Sequence, residues 1–175
     1  MSKKGFTGCR YFCHMIYQED LKKAQDQSKS TKSFLQKLKK KKPKDLDDQF
    51  HKLHNSTFQE IDCLECANCC KTTSPIFQIG DIERLAKTLR MKVPAFIEEY
   101  LKIDEDEDYV LTSSPCPFLG ADNKCIVYES RPKACREYPH TDRKRMYQIT
   151  SLTHKNTMVC PAVSRIVDQL KVIYD

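Results

Sequence analysis

The feature that most constrains this chain is a cysteine run, Cys63-x2-Cys66-x2-Cys69-Cys70. Thiolate sulfur is a soft donor that suits zinc and iron–sulfur clusters, and ligands two residues apart on a short stretch of backbone can converge on one metal. A metal site with additional cysteine ligands from distant segments would link those segments and stabilise the fold. Four such cysteines follow: Cys116, Cys125, Cys135 and Cys160.

A disulfide framework is the alternative use for the ten cysteines of the chain. It requires secretion, and the residues before Cys9 are too few for the apolar core of about 7–15 residues that a signal peptide contains. No run of about 18 apolar residues predicts a membrane span either. We therefore expect a cytoplasmic protein in which thiols are reduced and clustered cysteines bind metal.

The positive charge is concentrated at the N-terminus. Residues 1–60 contain 14 lysines and arginines against 7 acidic residues, whereas residues 61–175 contain 16 against 17. This distribution makes nucleic acid an unlikely partner for the folded domain, which lacks a predicted positive face. A basic arm that contacts RNA or anionic lipid stays open.

The charge pattern also suggests a division of the chain. Residues 28–44 are poor in apolar side chains and predict a solvated, partly helical linker, after which residues 45–56 show the spacing of an amphipathic helix. We expect residues 1–57 to form a basic, partly helical or disordered, flexible extension. Residues 58–175 would then form the cysteine-cluster metal-binding domain.

Periodicity and turn residues predict an α+β, mostly helical small domain organised around one or more cysteine-ligated metal or iron–sulfur centres. The predicted elements are helices that begin near Asp81 and Pro94, a strand at 109–112, a hairpin that carries Cys116 and Cys125, a short helix or turn at 131–136, a strand at 146–152, and a C-terminal helix after Cys160.

Adjacent cysteines bear on how many centres there are. Successive side chains of an extended backbone point in opposite directions, so Cys69 and Cys70 are poorly placed to bind one metal together. Two centres, or one centre with a free thiolate, are both compatible with this. Eight cysteines could form two four-thiolate zinc sites, or one cluster with four sulfurs left for a second metal, and the sequence leaves the partition open.

Residues beside the cysteines could support such a centre. Arg131 and Arg136 could offset thiolate charge, and Tyr128 and Tyr138 could donate hydrogen bonds around the ligands. Surface ion pairs are the alternative role of the arginines.

The motifs occur in a characteristic order. Cys63-x2-Cys66-x2-Cys69-Cys70, Cys116-Pro117-Phe118-Leu119, Cys125-Ile126-Val127-Tyr128, Arg131-Pro132-x2-Cys135-Arg136-x-Tyr138-Pro139 and Cys160-Pro161 together resemble the YkgJ-type CxxCxxCC cysteine-cluster family over about residues 58–165. Members are described as candidate zinc- or iron-chelating proteins. The resemblance implies that all eight cysteines are ligands of zinc or an iron–sulfur cluster.

Three roles follow as hypotheses. The first is a functional metal centre that serves metal handling or redox chemistry, and the second is a structural zinc module that binds a protein partner. The third is a metal-dependent protein-modifying enzyme, because the cysteine-rich region is also similar to part of the flagellin lysine N-methylases. Whether the chain is an enzyme stays open. The absence of a glycine-rich loop for a nucleotide-like cofactor argues against methylation, whereas Cys70 is the one candidate reactive thiol.

Overall fold

The computed structural model describes the backbone of residues 8–175 and the side chains from residue 17 onward. The described chain is mostly helical with one small sheet, as predicted. Its helices are α1 (Gly8–Asp26), α2 (Ser28–Lys41), α3 (Leu46–Glu60), α4 (Cys63–Cys66), α5 (Asn68–Thr72), α6 (Ile79–Thr88), α7 (Val93–Tyr100), α8 (Lys133–Glu137), α9 (Thr150–Thr157) and α10 (Pro161–Tyr174). Strand β1 (Leu101–Ile103) pairs antiparallel with β2 (Tyr109–Leu111). No described helix is both long and apolar enough to cross a membrane.

The chain folds as two compact units. Unit 1 contains the residues up to Cys66 together with Pro139–Asp175, and unit 2 contains Ala67–Tyr138. This division differs from the predicted one, which placed a boundary at residue 58. Helices α1 and α3 contact the C-terminal helix α10, and α2 contacts α9, so these helices belong to a folded unit and do not form a separate extension.

Unit 1 is built on two helix pairs, α3 with α10 and α2 with α9. Helix α2 lies in the segment predicted to be a solvated linker, yet Phe34, Leu35 and Leu38 are buried. Burying a side chain of this size contributes about 1.5–3 kcal/mol. A narrow apolar stripe is therefore enough to hold a lysine-rich helix on the unit when a partner helix covers it.

The predicted strand at 146–152 is wrong. Residues Met146–Ile149 form a short 3-10 helix that leads directly into α9. The carboxylate of Asp47 accepts hydrogen bonds from the backbone N–H groups of Arg145 at 2.6 Å and Met146 at 2.8 Å. This long-range contact satisfies the free donors at the start of the turn, which local periodicity cannot reveal.

Unit 2 packs α6 and α7 against the two-stranded sheet around a small apolar core. The predicted helices at residues 81 and 94, and the strand at 109–112, are found within one or two residues of the expected positions. The acidic run after β1 is a turn in which Asp104 accepts the N–H groups of Asp106 and Asp108, each at 3.0 Å. The buried residues of the core are Phe77, Ile82, Leu85, Ala86, Phe96, Leu101, Leu111, Phe118 and Val127.

Candidate metal centre

A single backbone turn divides the cysteine run. Helix α4 ends at Cys66 and helix α5 begins at Asn68, and between them Ala67 adopts a left-handed conformation with φ 46°. A non-glycine residue in this region interrupts a right-handed helix at a cost of about 1–2 kcal/mol. The same position is the boundary between the two units, so Cys63 and Cys66 belong to unit 1 while Cys69 and Cys70 belong to unit 2.

In unit 2 the backbone joins Cys70 to Cys116, because the N–H of Cys116 donates to the carbonyl of Cys70 at 2.8 Å. A tight hairpin follows, in which Gly120 N–H donates to Lys124 O at 2.7 Å. A Cβ at Gly120 would lie 2.9 Å from Asp122 Oδ1 and 3.1 Å from Lys124 O, so only glycine fits this turn without a shift. The hairpin returns Cys125 toward Cys116, as the sequence predicted.

Helix α8 supplies a further cysteine of unit 2, Cys135. Burial, together with smaller effects of the neighbouring thiols of Cys70, Cys116 and Cys125 in that order, raises the pKa of Cys135 to about 12. Such mutual effects require the four sulfurs to lie within electrostatic range of one another. We refer to Cys70, Cys116, Cys125 and Cys135 as the four-thiol group.

Backbone donors already face some of these sulfurs. Burial raises the pKa of Cys116 to about 11, but the N–H groups of Phe118 and Leu119 oppose this by stabilising the thiolate. Burial likewise raises the pKa of Cys125 against the N–H of Val127. Hydrogen bonds of this type stabilise the ionised sulfur that metals bind, and a sequence pattern does not reveal them.

Unit 1 brings together three other cysteines. Burial raises the pKa of Cys160 to about 12, and Cys63 and Cys66 add to the effect, so these three sulfurs form a second neighbourhood. The N–H groups of Val163 and Ala162, in the first turn of α10, oppose the shift. We refer to Cys63, Cys66 and Cys160 as the three-thiol group. Cys63 is exposed, whereas Cys160 is buried.

Cys70 differs from its neighbours. A hydrogen bond from the Cys69 thiol and, to a smaller extent, the Lys71 ammonium outweigh burial and lower the pKa of Cys70 to about 7. In the metal-free protein Cys70 is therefore the thiol of the four-thiol group that is most ionised at neutral pH.

We expect Cys70 to be alkylated by iodoacetamide at least about tenfold faster than Cys116 or Cys135 in the metal-free, folded protein at pH 7.5. The thiolate is the reactive form, and the pKa of Cys70 lies below those of its neighbours. Peptide mass spectrometry over a time course would give the three rates. In urea the rates should converge, and equal rates in the folded protein would contradict the assignment.

Among the predicted supporting residues, Arg131 lies within electrostatic range of the four-thiol group. The Arg131 guanidinium stacks 3.6 Å from the centroid of the Tyr128 ring and lowers the pKa values of Cys125 and Cys135. Arg136 Nη1 donates to the Arg131 carbonyl at 2.7 Å, and Tyr138 is half-buried at the end of α8. The Nη1 of Arg131 is buried without a hydrogen-bond partner among the described residues, so it keeps a donor for an anionic centre.

Sequence reasoning missed the contact that holds this loop. The Asp81 side chain in α6 is buried, and its Oδ1 accepts the backbone N–H of Lys133 at 3.1 Å and pairs with Arg84. Arg84 in turn donates to the carbonyls of Ser130 at 3.2 Å and Arg131 at 3.1 Å. We refer to Asp81 and Arg84 as the loop clamp. It anchors the loop that carries Arg131 and leads to Cys135, although the sequence indicated only that a helix begins near Asp81.

Three histidines of unit 1 have hydrogen-bonding partners. His54 Nδ1 lies 2.8 Å from Thr141 Oγ1, and His154 Nε2 lies 3.0 Å from the Ser28 carbonyl oxygen. His51 Nε2 lies 3.3 Å from the Arg143 carbonyl oxygen. These hydrogen bonds give the three side chains a structural role that requires no bound metal. The side chains of Cys9, Cys13 and His14 lie outside the described part of the chain.

Within the described residues no group of three or more histidine, cysteine, aspartate or glutamate side chains has the geometry of a metal site as it stands. The two thiol groups are therefore defined by electrostatic proximity and shared backbone structure. Their donor chemistry fits zinc or an iron–sulfur cluster, which bind thiolate.

Helical units that carry cysteines on short turns define a class of cysteine-rich metal-binding domains. A family model described as "CxxCxxCC: Putative zinc- or iron-chelating domain" matches residues 62–161. This chain belongs to that family, and the predicted resemblance is confirmed. The family description names zinc and iron, the two metals that the sequence analysis left open. Neither the search of curated proteins nor that of solved structures gives a match.

Proposed function

We propose that the four-thiol group of unit 2 binds a zinc ion or an iron–sulfur cluster. The observation that carries this proposal is that the thiols of Cys70, Cys116 and Cys125 each raise the pKa of Cys135. The four sulfurs therefore lie close together within one compact unit. Backbone N–H groups that already face Cys116 and Cys125 add support, because they would stabilise both thiolates on binding.

Local positive charge supports the same assignment. Four thiolates around one zinc ion carry a net charge of −2. Arg131 lies within electrostatic range of Cys125 and Cys135, and Lys71 acts on Cys70 in the same way. The buried, unpartnered Nη1 of Arg131 could donate to such a centre, and the Tyr128 ring below holds the guanidinium in place.

We further propose that the three-thiol group of unit 1 is a second and more exchangeable site. Three protein ligands leave a coordination position open, which is typical of sites that exchange a ligand or a metal. The exposure of Cys63 gives solvent access to this group. A closed site and an open site in one chain would suit metal handling or redox sensing.

The proposal predicts how metal stoichiometry responds to single substitutions. We expect Cys116→Ser to abolish metal binding by the four-thiol group. Cys63→Ser should weaken metal binding by the three-thiol group only, because the two residues belong to different thiol groups. Anaerobic titration with Co²⁺, followed by thiolate-to-metal charge-transfer absorption, would count the sites. Elemental analysis of anaerobically purified protein would identify zinc or iron.

Cys9→Ser provides the matched control, since it removes a thiol that lies before the family match at residues 62–161. It should leave both sites intact. If Cys63→Ser and Cys116→Ser each abolish all binding, the eight cysteines act as one site and the division into two groups is wrong. If neither changes the titration, metal binding by these thiols is wrong.

A further inference from the structure

The two units differ in charge. Within the described residues, unit 1 carries 18 lysines and arginines against 12 acidic residues, whereas unit 2 carries 10 against 12. The positive charge of the chain thus belongs to a folded unit. The expectation that nucleic acid is an unlikely partner applies to residues 58–175 and does not extend to helix α2.

Helix α2 concentrates this charge on one face. Its apolar side chains Phe34, Leu35 and Leu38 are buried on the side that packs on the unit. The opposite side and the segment that follows contain no acidic residue before Asp45. The exposed lysines of α2 and of the segment that follows it are Lys29, Lys32, Lys37, Lys39, Lys40, Lys41, Lys42 and Lys44.

A second basic segment lies beside the end of this helix. The 3-10 helix Met146–Ile149 packs against α2, and Lys42 Nζ lies 5.1 Å from the centroid of the Tyr147 ring. Arg143, Lys144 and Arg145 precede this ring and are exposed. The Asp47 carboxylate holds their loop in place through the N–H of Arg145. We refer to the α2 lysines and residues 143–145 together as the basic face.

The basic face has few internal counter-charges. Among the described residues, Lys37 is the only α2 lysine in an ion pair, with Asp175 at 4.0 Å. Lysines three or four positions apart on a helix repel one another, which destabilises the helix by about 0.2–0.5 kcal/mol per pair. An anionic partner would relieve this repulsion. A partner with regularly spaced charges fits best, because the lysines run along a helix of about 21 Å.

We propose that the basic face of unit 1 binds the phosphate backbone of a nucleic acid. An anionic membrane is the other polyanion to consider, but interfacial helices insert an apolar face into the lipid. The apolar side of α2 is buried within the protein, and none of the exposed large hydrophobic residues lies on α2 or residues 143–145. Binding through lysines and arginines alone would be independent of base sequence and sensitive to salt.

Fluorescence anisotropy with a labelled 20-nucleotide oligo(U) RNA, at several KCl concentrations, tests this proposal on the full chain. We expect affinity to fall steeply with salt. The combined variant K29Q/K32Q/K37Q/K40Q removes four charges from the face, so the slope of log K against log salt should decrease by about 3, since each phosphate contact on a single strand contributes about 0.7. Binding at low salt should weaken at least about tenfold.

The matched control removes the same charge from unit 2, where K87Q, R90Q, K102Q and K124Q change four exposed residues. It should bind RNA like the wild type. Equal weakening by both variants, or no binding by the wild type at 50 mM KCl, would overturn the proposal. Sedimentation with phosphatidylcholine–phosphatidylserine vesicles in preference to RNA would overturn it in favour of a membrane.

Circular dichroism and metal content show whether each variant is folded. If the fourfold variant loses helix content, K29Q/K40Q alone should still lower the slope by about 1.4. This proposal does not depend on metal binding, because a protein with Cys116→Ser should keep its affinity for RNA while it loses metal.

Discussion

Removal of the metal by a chelator is expected to destabilise unit 2 far more than the core of unit 1. Structural zinc sites contribute apparent free energies of roughly 10–16 kcal/mol, whereas a core of the size found in unit 2 supplies at most about 3–5 kcal/mol. Metal-free unit 2 should therefore stay folded at 25 °C on its apolar residues, but with much lower stability.

Hydrogen exchange measured by mass spectrometry separates the two units. We expect amide protection in α6 and α7 of unit 2 to fall at least about a hundredfold on chelation, because it reports the stability of the unit that holds the four-thiol group. Protection around Phe50 in α3 and Leu170 in α10, both buried in unit 1, should change little.

The variant Cys116→Ser supplies the control, since chelator should have little further effect on its unit 2. Unchanged protection in α6 and α7 of the wild type would mean that the metal does not support the fold, and the centre would then have to serve another purpose. An equal loss of amide protection in both units would contradict the assignment of the stabilising metal site to unit 2.

This experiment also bears on the choice between a structural and a functional centre. A metal that only replaces a missing core should leave the protein solely through unfolding. The core of unit 2 contains nine buried residues, among them Phe96 and Phe118, with ring planes 7° apart and centroids 6.2 Å apart. Survival of this unit after metal loss would favour reversible exchange or redox change over a purely structural role.

The elements predicted correctly are those whose signal is local. Helix α3 and helix α10 show apolar spacing along the chain, and Pro94 stands in the first turn of α7. The errors arise where a contact with a residue distant in the sequence determines the local structure. Asp47 stabilises the turn at Met146 from 99 residues away, and the cover that α9 gives to α2 is invisible in the sequence of α2.

The candidate site divides in the same way. The identity of the eight cysteines follows from short motifs, and their role as ligands stays a prediction. The division of seven of them into two groups depends on the left-handed backbone of Ala67 and on which helices pack together, neither of which a spacing pattern contains. The loop clamp was missed because Asp81 and Arg84 resemble an ordinary pair three residues apart on a helix, and their contacts to residues 130–133 are tertiary.

Loss of the Asp81 side chain should be among the most damaging single changes in unit 2. Burial disfavours its charge, but hydrogen bonds from Arg84, Gln78 N–H and Lys133 N–H outweigh this and hold the pKa of Asp81 below its usual range. Hydrogen bonds to a charged group contribute about 1.5–3 kcal/mol each. We expect Asp81→Ala to destabilise the unit by roughly 2–4 kcal/mol, a range lowered by the partial exposure of Arg84.

The sign of the pH dependence follows from the lowered pKa. Stability from a carboxylate of this kind is fully present above its unfolded pKa of about 3.9 and is lost as the pH falls through the lower folded value. The difference between wild type and Asp81→Asn, measured by urea unfolding of the metal-loaded protein, should therefore be constant between pH 6 and 8.

The loop clamp also predicts an effect on the site. With Asp81 replaced, the loop from Ser130 to Lys133 loses its anchor on α6, so alkylation of Cys135 in the metal-loaded protein should accelerate. Asp122→Asn is the matched control, because its pair with Lys124 is exposed and long at 3.9 Å, and such pairs contribute at most about 1 kcal/mol. If Asp81→Asn changes neither stability nor Cys135 reactivity more than Asp122→Asn does, the clamp has no role in presenting the thiol. If stability falls but Cys135 stays protected, Asp81 supports the core of unit 2 and does not position the site.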